Sequence, residues 1–564
     1  MSFSTQVASE DGDESGRFAT LSPDNQAAQD ALRDVVNSLR EDGGDDGYQS
    51  SFIEEAAPAS GPNSQAPNYQ FVLSFDQFPG GPDGSWEFGA GSSAGFYRDV
   101  DLLLCPLRAL DSLDDAPTDD RINPTIGLIS LHPKSGSFLL EAMSEKHPIT
   151  YLSGDGNTDT VLHHGQTSVL HMTRNRFRFG PFQYLLEFHT QHESRFVAAR
   201  NRYIADNILP HGGMDIYPQL DPLPRQGHHR VRDSVFHRTM AYGAFGMVKS
   251  GVHMRTGDAV AIKTLHCKAR QIPSVRNELN LAASFTPDTI GIIPTFDTWC
   301  EHGLSPPCFG TAIEDVHLAM PLARYDFDST PWADVDPKTR LGLFHQTLQG
   351  LEAIHDAGIM HRDISPRNLL VLSLDPPEAS ICDFGKALRS GKGHDTTIGP
   401  IDTVAPEVWT SKERGYSNAI DIWSLAYTWL CSLQRPTNLR HNAKTDLQRH
   451  KKLIATLLAC DISPALRNLM RDMLSFDPRD RPTATEALVH ELWEEIEELQ
   501  AGSPELGLRH PEIPAKKRPR LDDASASADL GPLAKSHKMV ASLPDTLPWT
   551  SGSGSAGEGG NDGG

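Results

Sequence analysis

The chain has no apolar run approaching the roughly 18 residues that a membrane-crossing helix needs, so no membrane association is expected. It also lacks an excess of basic charge. Its 51 Lys and Arg face 74 Asp and Glu, for a formal net charge of −23. A chain that acidic is not expected to bind nucleic acid directly, because such binding needs clustered cations against phosphate. Cysteine is scarce, odd in number and scattered: Cys105, Cys267, Cys300, Cys308, Cys382, Cys431 and Cys460, with no C-x-x-C pair. Neither a disulfide framework nor a zinc cluster is expected from that spacing, and a reducing intracellular compartment fits it better. The opening Met1-Ser2-Phe3-Ser4-Thr5 has neither the basic flank nor the apolar centre of a signal peptide.

What is present points to several regions. The length of 564 residues exceeds one ordinary domain, and 46 Gly with 40 Pro imply much sequence outside compact cores. Residues 1–66 are acidic and rich in Ser, Gly, Ala, Asn and Gln, which predicts disorder. One helical stretch interrupts them. Ser22-Pro23-Asp24 reads as its N-cap, and Ala28, Ala31, Leu32, Val35, Val36 and Leu39 recur at helical spacing up to Gly43-Gly44. From 67 to 205 short β-rich runs alternate with turn clusters, among them Phe71–Leu73, Val100–Leu104, Ile126–Leu131, Phe138–Leu140, Thr167–Leu170, Phe177–Phe179 and Tyr184–Phe188; this predicts a small all-β sandwich. Residues 206–230 read as a linker. Residues 231–500 form an α+β region, strand-rich to about 320 and helix-rich beyond, and 501–564 read as a flexible tail.

The chemistry lies in the α+β region. Ala241–Val248 (A-Y-G-A-F-G-M-V) supplies glycines where a backbone could approach phosphates closely. Val260-Ala261-Ile262-Lys263 follows, and Glu278 sits on the next helical stretch, Val275–Ser284. Then come His361-Arg362-Asp363-Ile364-Ser365-Pro366-Arg367-Asn368, Asp383-Phe384-Gly385 and Ala405-Pro406-Glu407. Asp421–Leu425 and Asp477-Pro478-Arg479-Asp480-Arg481-Pro482-Thr483 complete the series. The order and spacing of these motifs over about 250 residues resemble the eukaryotic protein kinase superfamily, and the overall appearance is similar to divergent fungal kinases.

The resemblance implies a two-lobed fold using ATP and Mg²⁺ on protein substrates. Ala241, Gly243, Gly246, Val248 and Ala261 would line the nucleotide, with Lys263 on the α and β phosphates and Glu278 as its ion-pair partner. Met320 would be the gatekeeper, and Leu322 and Ala323 would offer backbone groups to adenine. Asp363 would orient the attacking hydroxyl and take its proton, while Asn368 and Asp383 would bind metal. Glu407 would pair with Arg481, and Asp421 would steady the catalytic loop. Arg362, Lys386 and Arg389 would form a basic pocket for a phosphate at Thr396 or Thr397, which implies an upstream activating kinase.

Two departures leave the acceptor open. Serine/threonine kinases usually carry Lys two residues after the catalytic Asp, where Ser365 stands, and Thr after a Gly ahead of A-P-E, where Pro400 follows Gly399. Arg367 is then the residue expected to supply the missing cation. Serine/threonine transfer is the leading expectation, with tyrosine or dual specificity and a pseudokinase scaffold as alternatives.

Residues 67–205 resemble a forkhead-associated domain. The likeness rests on Phe88-Gly89 before Asp99–Leu102, on Ile129–Leu140 as a hairpin, and on Phe177–Gly180 before Tyr184–Phe188. That family binds phosphothreonine through an Arg, a Ser and a His, but Ala90, Asn123 and Ile126 occupy the matching positions. A structural or protein-binding sandwich is therefore expected. Lys516-Lys517-Arg518-Pro519-Arg520 resembles a nuclear-import run, giving a nuclear location with a cytoplasmic one as the alternative. Thr5-Gln6 and Ser64-Gln65 resemble damage-kinase targets at near-chance frequency.

Overall fold

The computed structural model describes residues 16–41, 49–56, 68–77, 79–80, 84–91, 100–106, 125–152, 159–189, 193–208, 216–225, 228–243, 246–266, 272–300, 315–395, 398–400, 402–410, 415–436 and 446–494. Asn123, Thr396, Thr397, the Lys516–Arg520 run and the two dipeptides lie outside them. Among the described residues no helix is long and apolar enough to cross a membrane.

The N-terminal region builds two sheets. One has seven strands. Asn68–Ser74 (β3), Arg17–Pro23 (β1), Phe182–Phe188 (β12) and Arg174–Phe179 (β11) lie side by side at its centre, flanked by Ile53–Ala56 (β2), Ile149–Leu152 (β8) and Thr160–Leu162 (β9). The other runs Thr167–Val169 (β10), Phe138–Ala142 (β7), Thr125–Leu131 (β6), Trp86–Gly91 (β4), Leu102–Pro106 (β5). β11 shows why these sequences become strands. In R-N-R-F-R-F the arginines face outward while Asn175, Phe177 and Phe179 are buried, a period of two. The sheets meet through aromatic rings, with Phe88–Phe177 at 5.3 Å and Phe138–Phe188 at 4.8 Å between centroids. A helix, Glu193–Asn207, closes one end by stacking Tyr203 on Trp86 at 5.3 Å.

The expectation of disorder for residues 1–66 is corrected here. β1 is a central strand, with Leu21 opposite both Leu186 and Phe71. Phe18, Ala19 and Leu21 are buried, but three apolar residues inside a polar stretch carry little compositional weight. The helical spacing that follows does form a helix, Gln26–Glu41 (α1), burying Ala28, Ala31, Leu32, Val35 and Val36. Its cap is Asn25, whose Oδ1 accepts the Ala28 N–H at 2.9 Å, because Ser22 and Pro23 still belong to β1. Cys300 is disulfide-bonded, against the expectation from spacing, which cannot show which cysteines folding brings together.

The second half has two lobes. A six-stranded sheet, His229–Val231 (β13), Ser234–Gly243 (β14), Gly246–His253 (β15), Ala259–Leu265 (β16), Val316–Pro321 (β18), Asp297–Cys300 (β17), carries one helix, Ile272–Ala282 (α2, counting helices of this half onward). The other lobe is helical and wraps Ala419–Leu433 (α3), buried on nearly every face because its sequence is apolar nearly all round. Trp429 stacks on Phe344 of Pro337–Asp356 (α4) with centroids 4.7 Å apart.

The segment expected to be a linker is a strap. Leu220 and Leu223 are buried, Gln219 Nε2 donates to the carbonyl of Arg324 at 2.8 Å, and the Ser250 hydroxyl donates to the Gln219 carbonyl at 2.7 Å. The β15–β16 turn reaches the sandwich directly, where Val169 N–H donates to Met254 O at 2.7 Å. Val235, Val252 and Met254 share one apolar core with the sandwich. Beside them Asp221 accepts from His228 Nε2 at 2.9 Å and from Arg238, and the His228 ring stacks on His237 at 4.3 Å. Backbone N–H groups of Asp221 and Arg225 point at Nδ1 of His237 and His228, at 3.1 and 3.4 Å, so the trio ties the strap to β14.

Two outcomes are expected. A fragment of residues 229–494 loses the cover over Val235, Val252 and Met254. Each such side chain contributes about 1.5–3 kcal/mol when buried, so the fragment should melt well below residues 16–494 and bind a hydrophobic dye. Equal melting temperatures would contradict the shared core. Burial, then the neighbouring His228, push the His237 imidazole down to about 3. The unfolded chain takes up that proton near pH 6.5 and the folded one does not, so stability should fall as pH drops below about 6.5, by up to about 1.4 kcal/mol per unit per group. His317 and His361, both buried, and the partly buried His450 are shifted the same way. His237→Gln should therefore remove one proton's share of the slope between pH 6.5 and 5, measured by denaturant unfolding at each pH.

Candidate active site

The cleft between the lobes is roofed by the β14–β15 hairpin. Ala241 lies opposite Val248, Tyr242 opposite Met247 and Gly243 opposite Gly246. A Cβ on Gly246 would sit 1.7 Å from the carbonyl oxygen of Thr264, so only glycine lets this hairpin lie so close to β16. Ala241 is exposed on its strand, where replacing a glycine displaces nothing. Ala261 is buried behind the hairpin and Met320 is partly buried at the end of β18. Leu322 gives its N–H to Ala259 O at 3.2 Å, so that donor, expected for adenine, is already engaged by the sheet lobe.

Below this roof three charges meet. Lys263 Nζ is 2.5 Å from Glu278 Oε1 and 2.8 Å from Asp383 Oδ1. Glu278 is held in place by its helix α2, which buries Val275 and Leu281, and Asn277 on the same helix donates to Ala387 O at 3.2 Å. Burial alone would strip the charge from Lys263, but Glu278 and Asp383 hold it above its ordinary value. Burial also works against the Asp383 carboxylate, and the adjacent Lys263 charge outweighs it, leaving Asp383 below the usual range. Glu278 is raised, chiefly by burial.

Asp363 faces them from the loop between Ile359–Met360 and Leu369–Leu374. Asn368 Nδ2 donates to the Asp363 carbonyl at 2.8 Å, which fixes the loop's curvature. Burial raises the Asp363 carboxyl above its ordinary value, although Lys386 and His361 pull it down. The loop itself hangs on Asp421 of α3. That buried carboxylate accepts the backbone N–H groups of His361 and Arg362, each at 2.8 Å, and His355 Nε2 at 3.1 Å. Arg362 has φ 64° and Asp383 has φ 70°, in the left-handed region that costs a non-glycine residue on the order of 1 kcal/mol or more. Those hydrogen bonds, and the one from Arg362 Nε to Lys386 O at 2.6 Å, hold both in place.

The structure thus brings Lys263, Glu278 and Asp383 together and sets Asp363 with Asn368. It does not do so for every expected residue. Arg367 is 81 % exposed and pairs with Asp328, so it turns away from the site it was expected to serve. The basic pocket also fails to form. Arg362 pairs with Asp395 at 2.8 Å, Lys386 lies on Asp363, and Arg389 donates to Ala357 O and Ser284. A carboxylate one residue before Thr396 thus already fills the partnership that a phosphate was expected to supply. Sequence reading missed Asp395 and the Lys386–Asp363 contact, since both depend on the path of the segment after Asp383. Glu407 and Arg481 form a two-pronged pair at 2.6 and 2.9 Å, with the guanidinium fully buried over the Trp423 ring.

Residues 235–493 match the family model described as a protein kinase domain. The chain carries such a domain. It is similar to mitogen-activated protein kinase 10 of Oryza sativa subsp. japonica, 28% identical over 291 residues, or 44% of this chain and 46% of that one. It is also similar to a probable serine/threonine-protein kinase of Encephalitozoon cuniculi, 29% identical over 252 residues, or 44% and 42% of the two chains. The chain thus spans about half the length of the curated relatives it matches.

Arg481→Met leaves Glu407 without its partner, and breaking a pair with a buried member costs roughly 3–5 kcal/mol. Arg481→Lys should recover little of it, because an ammonium cannot make the two-pronged contact. Urea unfolding of residues 16–494 checks both. A loss under 1 kcal/mol in the Met variant would contradict the role given to this pair.

Proposed function

We propose that the chain is an ATP- and Mg²⁺-dependent protein kinase that phosphorylates serine and threonine hydroxyls. The observation that carries this reading is the joined set of Lys263, Glu278 and Asp383 under the glycine hairpin, with Asp363 raised on its loop opposite. A lysine fixed between two carboxylates is a pre-oriented cation for phosphate oxygens. The names of the similar proteins, mitogen-activated and serine/threonine kinases, support the acceptor class.

The donor set fits the metal. Asp383 offers a carboxylate, and Asn368 spends its Nδ2 on Asp363 O and so keeps its amide oxygen for a hard cation. Bound magnesium would neutralise charge on the phosphates. The protein's own residues do the positioning. Lys263 holds the non-transferred phosphates, and Ala323 and its neighbours receive the base. Asp363 orients the acceptor hydroxyl and takes its proton as the new O–P bond forms and the β–γ bridging bond breaks, releasing ADP. The raised carboxyl of Asp363 suits it to receive that proton.

In the sandwich, Ala90 and Ile126 are buried within β4 and β6, so neither offers a phosphate contact. We take the sandwich as a forkhead-associated-like brace for the sheet lobe, with its outer face left for a protein partner.

The test is transfer of labelled phosphate by residues 16–494 to a peptide library holding Ser, Thr and Tyr acceptors. Label on Ser and Thr, lost in Asp363→Asn, is expected. Label confined to Tyr would overturn the acceptor class. Nucleotide binding without transfer would favour a scaffold.

A further inference from the structure

Phosphoryl transfer to a hydroxyl needs a cation on the acceptor side, near the base, to balance charge moving onto the γ-phosphoryl oxygens. The chain lacks one where the loop would carry it. Ser365 stands two residues after Asp363, is buried, and ends in a neutral hydroxyl. Arg367 is turned to solvent against Asp328, which Arg435 also grips. Another lysine fills the gap from a different direction. Lys386, immediately after Asp383-Phe384-Gly385, puts its Nζ 3.3 Å from Asp363 Oδ1.

We propose that Lys386 is a catalytic residue, the acceptor-side cation of this protein, contacting the γ-phosphoryl oxygens while hydrogen-bonded to Asp363. The proposal rests on the protein kinase reading. Three features support it. A base that takes the acceptor proton lies next to the oxygen attacking the γ-phosphorus, so a cation on that base is within reach of the phosphoryl group. The ammonium has three donors and can serve Asp363 and a phosphoryl oxygen together. Its side chain is 36 % exposed, so the ammonium is accessible rather than sealed in the core.

The backbone of Lys386 is fixed at both sides. Its carbonyl accepts from Arg362 Nε at 2.6 Å, and the next carbonyl, of Ala387, accepts from Asn277 on α2 at 3.2 Å. Lys386 therefore reaches Asp363 in the same arrangement that brings Glu278 of α2 to Lys263. The cation that other kinases carry in the catalytic loop is here borne by the start of the activation segment.

The experiment uses the full chain, with peptide phosphorylation kinetics and binding of a fluorescent ATP analogue measured side by side on Lys386→Met, Ser365→Lys and the double variant. Lys386→Met is expected to lower kcat by about 100-fold while KM for ATP and analogue affinity change less than about threefold. Adding Ser365→Lys to it should restore at least about tenfold, because an ammonium returns to the same phosphoryl group from the loop. A Lys386→Met chain with wild-type kcat would overturn the proposal, as would loss of analogue binding in parallel with activity and no recovery in the double variant. Absence of transfer by the wild-type chain would be a different failure, that of the kinase reading itself, and would take the proposal with it.

Discussion

A carboxylate sealed inside a helical lobe stays charged only if donors surround it, and Asp421 has three. Burial alone would raise its pKa, but His355 and the backbone N–H groups of His361 and Arg362 hold it below the usual range. Those same donors are the start of the catalytic loop. Two peptide groups pinned at 2.8 Å fix where Asp363 begins, and they sustain the left-handed backbone at Arg362. Arg362 in turn grips the carbonyl of Lys386, so the residue that anchors the loop also sets the segment after Asp383. The active site is therefore one connected set of bonds from α3 to the sheet lobe rather than a collection of separately placed side chains.

The sheet lobe has its own support. In isolation its strands β14 and β15 and the turn after β15 would expose Val235, Val252 and Met254, and the sandwich covers them. The strap at 216–225 adds polar ties, with Gln219 on the hinge carbonyl of Arg324 and Asp221 among His228 and Arg238. The surfaces that hold the nucleotide hairpin and the hinge are thus built partly from residues far upstream. A loss of stability in the sandwich should be felt at the cleft through packing, with no ligand on the sandwich required.

The kinase half was legible because its chemistry depends on residue types at fixed spacing. H-R-D-x-x-x-x-N, D-F-G and A-P-E name their positions before any fold is known, and the resemblance they carry implied two lobes. Strands such as β11 and β12 were legible as short β-rich runs between turn clusters. β1 was not, because Phe18, Ala19 and Leu21 sit in a polar setting and become a strand only when β3 and β12 are both beside it. Arg367 was misassigned because sequence distance from Asp363 says nothing about direction, and the short helical turn at Pro366–Asn368 faces it outward. The role given to Lys386 in a basic pocket failed for the same reason, since the contact depends on how the backbone leaves Gly385.

The account's central claim is that Asp421 holds the catalytic loop in its working geometry. Single-turnover phosphate transfer by Asp421→Asn, with folding verified by its unfolding transition and nucleotide affinity measured on the same sample, tests it most directly. Displacing catalytic groups by about 1 Å costs on the order of 100-fold, so the chemical step should slow by at least that factor while nucleotide affinity, set by Lys263 and the hinge, is retained. Transfer at the wild-type rate in a folded Asp421→Asn chain would contradict the account.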